Sequence, residues 1–159
     1  MGETGSTVSE ILVVDDERQI REVLREWLTA AGFTVHEAPD AESALEVLAD
    51  KHIAVATIDK DMTGHDGTWL VEQIQNQYPA VAMLLASGDS QIPPRVSLSR
   101  GVQGYLVKPF KRELVVGAVT DAVAWHTVAA KQATPAKGAV DPIDAWLHGR
   151  AGRPPKEGA

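Results

Sequence analysis

The sequence predicts an α/β protein, a doubly wound parallel sheet of five strands with helices on both faces. Five apolar runs of strand length begin at residues 10, 33, 53, 81 and 104, and stretches of helical spacing or helix-breaking residues separate them. Runs that stay apolar, instead of alternating with polar residues, belong to strands buried on both faces of a sheet. Strands that alternate with helices need crossover connections, so they pair in parallel, and right-handed crossovers leave few topologies.

Each element has its own warrant. "EILVV" (10–14) is the first strand. The helix after it places Ile20, Val23, Leu24, Trp27 and Leu28 at helical spacing, and Gly32 stops it. "FTVHE" (33–37) is the second strand. Asp40 is the expected N-cap of a second helix that turns Ala44, Leu45, Val47 and Leu48 inward. "IAVATI" (53–58) is the third strand, ending at Asp59. The third helix covers 67–77 through Leu70, Val71 and Ile74, and closes before Pro79. "VAMLLA" (81–86) and "GYLVK" (104–108) are strands four and five, and a last helix runs from about Lys111 to Ala130. Between them, "QIPPRVSLSR" (91–100) carries Pro93 and Pro94, which permit at most a short helix there.

Composition narrows the function. At 159 residues, with 44% apolar and 23% charged side chains, the chain has the makeup of one soluble domain. The absence of cysteine excludes disulfides, thiolate metal sites and cysteine nucleophiles. "MGETGSTVSE" is polar and acidic, unlike a signal peptide or membrane anchor, and no apolar run approaches bilayer length, so a cytoplasmic protein without membrane insertion is expected. Residues 1–130 carry 19 acidic against 10 basic side chains, and an acidic body disfavours nucleic-acid binding.

In sheets of this class, ligands bind beyond the carboxyl ends of the strands. The strand assignments put Asp15 and Asp16 after strand one, Asp59 after three, Ser87 after four and Lys108 after five, all on one rim. Carboxylates gathered in this way repel one another unless a cation lies among them, and oxygen-only ligands favour a hard ion such as Mg2+. Lys108 could pair with a carboxylate or with a phosphoryl oxygen, and the Ser87 hydroxyl could hydrogen-bond another. This is a phosphoryl-transfer constellation with an aspartate as nucleophile.

"ILVVDDE", "IDKDMTGHDG", "LLASGDS" and "GYLVKPF", in that order and spacing, resemble the receiver domain of bacterial two-component response regulators over residues 9–130. The resemblance implies a flavodoxin-like (βα)5 fold with strand order 2-1-3-4-5. It implies that Asp59 is the phosphoacceptor, that Lys108 contacts the phosphoryl group, and that Asp15, Asp16, Asp59 and the backbone carbonyl of Asp61 bind Mg2+. Ser87 and Tyr105 match the family's switch pair, while Met62, Asp66 and Gly67 match the positions after the acceptor. The implied partners are a histidine kinase or histidine phosphotransfer protein and a downstream protein target, with no specific DNA binding. Such a receiver is not an enzyme beyond its own phosphorylation and dephosphorylation. Thr63 departs from the family's usual proline, which points to a more mobile loop.

Two rivals exist. "IDKDMTG" also fits the haloacid-dehalogenase phosphatase signature, with Asp61 as general acid/base. That fold needs an acidic motif downstream of the lysine, where this chain offers only Asp121, Asp141 and Asp144. The other rival is a receiver used only for docking. Spacing gives no metal pair among His36, His52, His65, His126 and His148, and His126 reads as an exposed helical histidine. Asp66 reads as a structural loop acid and Trp27 as core. Residues 1–8 are expected to be disordered and 131–159 to form a mostly flexible tail, with one amphipathic turn near 141–148 where Trp146 and Leu147 could dock.

Overall fold

The computed structural model describes residues 8–88 and 101–133. In chain order the elements are β1 (Glu10–Val14), α1 (Arg18–Ala30), β2 (Thr34–Ala38), α2 (Ala41–Asp50), β3 (Ile53–Asp59), α3 (Gly67–Gln77), β4 (Ala82–Ser87), β5 (Val102–Val107) and α4 (Arg112–Ala133). The five strands form one sheet in the order β2-β1-β3-β4-β5. All four pairings are parallel, so this is the flavodoxin-like order that the sequence motifs implied.

Burial follows sheet position. All seven residues of β3 and all six of β4 are buried, whereas the edge strands β2 and β5 are buried at one position each. A continuous apolar run thus marks an interior strand, and "VQGYLV" with its polar and glycine positions marks an edge. Successive β1 side chains point to opposite faces. Leu12 and Val14 join Ile58, Leu70 and Ile74 under α2 and α3, while Ile11 and Val13 join Leu24, Leu28, Val55 and Val119 under α1 and α4.

Helix ends match local chemistry. The Asp40 side chain caps α2 by accepting the Ser43 N–H at 2.7 Å, and that bond lowers the Asp40 pKa. Gly32 ends the α1 turn at φ +104°, a conformation that side chains resist. The expected boundaries move in places. β2 and β4 are shifted one residue later, β5 starts at Val102, and α4 continues to Ala133. Val23 is 37% exposed on the outer side of α1, because Leu24 and Leu28 already fill the seam against the sheet. Pro93, Pro94 and the rest of 91–100, the residues 1–7, and the tail with His148, Trp146 and Leu147 lie outside the described residues.

Candidate functional site

Strand ends build the site. Asp15 follows β1 and is 2% exposed, Asp59 closes β3 at 3%, and Ser87 closes β4 at 2%. Lys108 follows β5 directly, and Asp16 lies on the exposed rim. Asp15, Asp16 and Asp59 each present a carboxylate oxygen within 4.8 Å of the other two, the one such acidic or histidine grouping among the described residues. Three hard oxygen donors at this separation, two of them buried, fit a divalent cation.

The three acids are held differently. Asp15 Oδ1 accepts the Glu17 N–H at 2.9 Å, and Oδ2 lies 3.1 Å from Lys108 Nζ. Asp59 Oδ1 accepts the Asp61 N–H at 3.1 Å and lies 3.5 Å from Lys108 Nζ, so its second oxygen is the one left for a reaction partner. Asp16 Oδ2 has a long contact, 3.4 Å, from the Thr63 N–H. Proline at position 63 would have no such donor.

Electrostatics single out Asp59. Burial first, and then the Asp15 carboxylate, push its pKa up to about 6, against the opposing pull of the Asp61 N–H and Lys108. Burial pulls the Lys108 ammonium down, but its contacts with Asp15 and then Asp59 outweigh that and hold its pKa above the ordinary lysine value. One lysine therefore bridges two carboxylates, and the third is left to solvent or to a cation.

Neighbouring elements fix this arrangement. The Lys60 N–H donates to the Ala86 carbonyl at 2.7 Å and the Lys108 N–H to the Ser87 carbonyl at 2.9 Å, so the ends of β3, β4 and β5 are tied together. Asp66 caps α3 by accepting from the Trp69 N–H at 3.0 Å and the Thr68 hydroxyl at 2.7 Å, as a structural acid should. Gly67 follows because its Cα sits against the Asp59 and Lys60 backbone, where no Cβ fits. Met62 is buried beneath the same loop. Tyr105 lies on β5 with 38% of its surface exposed, beside a groove of about 400 Å³ lined by Val107, Phe110 and Leu114.

The chain matches the family described as the response regulator receiver domain over residues 11–120. It belongs to that family. It is 34% identical over 121 residues to the response regulator protein FleR of Pseudomonas aeruginosa, covering 76% of this chain and 25% of the relative. Among solved structures it resembles the signal receiver domain of an HD domain-containing protein from Pseudomonas fluorescens, with TM-score 0.72, 27% identity, and coverage of 77% of this chain and 99% of that one. A CheY-like receiver from Methanospirillum hungatei shares the fold at TM-score 0.72 and 21% identity, over 77% of this chain and 98% of that one. The chain spans about a quarter of the length of the curated relatives it matches.

The receiver-family match displaces the phosphatase rival; of its downstream acids, Asp121 lies exposed within α4, and Asp141 and Asp144 lie outside the described residues. His126 is half-buried, with Nδ1 2.7 Å from the Ala80 carbonyl oxygen, a correction to its reading as exposed. His65 stacks on Trp69 with ring centroids 3.8 Å apart, and Trp27 and Trp125 pack partly against the core. Sequence reasoning missed Arg21, whose Nη1 donates to the Asp15 carbonyl at 2.8 Å. Its only signal was a basic residue one turn into the helix that follows the acidic pair. Among the described residues, no helix is long and apolar enough to cross a membrane.

Proposed function

We propose that this receiver takes a phosphoryl group onto Asp59 from a phosphohistidine of a kinase or phosphotransfer protein, and signals by protein contact. The carrying observation is the buried Asp59 carboxylate at the end of β3, with one oxygen held by the Asp61 N–H and Lys108 and the other left for attack. That oxygen forms the new P–O bond while the P–N bond to the donor histidine breaks, and the leaving imidazole keeps the electron pair. A raised pKa of about 6 still leaves Asp59 mostly ionised at neutral pH, and therefore nucleophilic.

Asp15, Asp16, Asp59 and the Asp61 carbonyl would hold Mg2+, which when bound supplies positive charge to the transferring phosphoryl oxygens. Lys108 would leave Asp59 for a phosphoryl oxygen while its 3.1 Å pairing with Asp15 keeps it anchored. Ser87 would offer its hydroxyl to another oxygen, and Tyr105 would read that movement at the surface. Catalysis is limited to the chain's own phosphorylation and dephosphorylation. We place the protein in the cytoplasm, with a downstream protein as its target and no specific DNA site.

Acetyl phosphate with Mg2+ should label the wild-type protein, beryllofluoride should form an adduct on Asp59, and Asp59→Asn should abolish both. Unchanged labelling in Asp59→Asn would remove the assignment. No labelling of the wild type would favour a receiver used only for docking. Promoter-length DNA should show no sequence-specific binding with or without phosphorylation, and a specific site of submicromolar affinity would overturn that part.

A further inference from the structure

Asp15 and Asp16 are joined by a single peptide, and the oxygen of that peptide is the Asp15 carbonyl that Arg21 Nη1 holds at 2.8 Å. The same guanidinium donates from Nε to Glu37 Oε1 at 3.2 Å. Glu37 sits on β2 opposite Val13, and its other oxygen takes Arg25 Nε at 3.0 Å. The Arg21 and Glu37 side chains are 16% and 26% exposed, against 54% for Arg25, so the inner pair is the constrained one. A planar fork held at two points is a rigid strut.

We propose that Arg21, clamped by Glu37, is a positioning residue that fixes the peptide plane between Asp15 and Asp16 and thereby aims the Asp16 carboxylate at the cation. The inference rests on the Mg2+ reading above. Asp15 does not need the strut. Its side chain is fixed by the Glu17 N–H and Lys108, and its N–H donates to the Ala38 carbonyl at 3.2 Å. Asp16 is exposed and, among the described residues, its side chain has only the 3.4 Å contact from Thr63, so its direction depends on the backbone that carries it. Losing the strut therefore falls on Asp16.

Charge and positioning predict opposite signs, which makes the test sharp. Arg21→Gln removes a positive charge near a cation site, so charge alone would tighten Mg2+ binding. Loss of the strut would loosen it, by about tenfold in dissociation constant if Arg21 behaves as outer partners of metal ligands commonly do. Mg2+ is titrated into the unphosphorylated full chain and followed by the amide NMR signals of Asp16 and Asp59. Looser binding with native β1 and β2 signals supports the strut, and equal or tighter binding overturns it. Should Arg21→Gln fail to fold, Arg21→Lys keeps the charge but not the two-point fork, and a wild-type dissociation constant in that variant overturns the strut. A wild-type protein that takes up no Mg2+ would overturn the metal reading and this inference with it, whereas wild-type binding with an unaffected Arg21→Gln overturns this inference alone.

Discussion

Individual residues show where the fold bears a cost for its site. Asp59 is 3% exposed beside Asp15, and its pKa is raised from 3.8 to about 6. The native state then binds the Asp59 proton more tightly than the unfolded chain does. Its stabilising contribution is complete below pH 3.8 and is lost as pH rises through about 6. In chelator, the protein should therefore lose up to about 3 kcal/mol between pH 4 and pH 8 from this group, at roughly 1.4 kcal/mol per unit. Asp59→Asn should remove that part of the slope and raise stability at pH 8, because Lys108 keeps Asp15. Urea unfolding across this range checks it, and an undiminished slope in the variant would assign the pH dependence elsewhere. Thr57 is a second such residue. Its Oγ1 is buried in the middle of β3 without a hydrogen-bond partner among the described residues. Thr57→Val keeps the shape and removes the unpaired hydroxyl, so it should stabilise by about 1 kcal/mol in the same assay.

At the scale of elements, what the sequence disclosed depended on how local the cause was. Strand ends at Val14, Asp59 and Ser87 could be read because an apolar run stops where buried backbone gives way to polar side chains. The convergence of Asp15, Asp59 and Lys108 on one rim followed from parallel pairing. The Arg21–Glu37 pair, 16 residues apart, and the Thr63–Asp16 contact, 47 apart, depend on how β1, β2 and β3 lie side by side, which no local pattern encodes. The β3–α3 loop, with threonine in place of proline at 63, shows contacts of the same long-range kind: His65 stacks on Trp69 and lies 3.4 Å from Glu42. Gly67 was legible as a family position, but its reason is steric. A Cβ there would meet the Asp59 carbonyl oxygen and the Lys60 Cα, at 2.7 Å from the latter. Backbone cannot yield as a side-chain tip can. Gly67→Ala should cost about 2–3 kcal/mol in urea unfolding and slow Asp59 labelling, since the displaced atoms carry the acceptor. A neutral substitution would show that α3 can shift without moving Asp59.

For the whole molecule, the question is where a change at Asp59 can leave. β1, β3 and β4 are packed on both faces, and close-packed interiors switch between discrete arrangements more readily than they deform. The edge beyond β4 is different. There Tyr105, Val107 and Leu114 are 38%, 56% and 65% exposed, and the Ser87 carbonyl is bonded to the Lys108 N–H at the same edge. Phosphorylation adds close to two negative charges and several acceptor oxygens, more than one lysine neutralises, so the Ser87 hydroxyl should be drawn towards them. Its movement would open space at the end of β4 that the Tyr105 ring could turn to fill, and phosphate would then bias a two-state pair through differential contacts. Beryllofluoride should accordingly shift the amide NMR signals of Ser87, Gly88 and residues 101–108 well beyond those of Glu22, Val23 and Glu26 on the outer side of α1. Ser87→Ala should keep the Asp59 adduct and shrink the shifts at 101–108. If that variant forms the adduct and retains shifts of full size at Tyr105, the signal crosses the β4–β5 edge through Lys108 and the backbone, and Ser87 is a bystander.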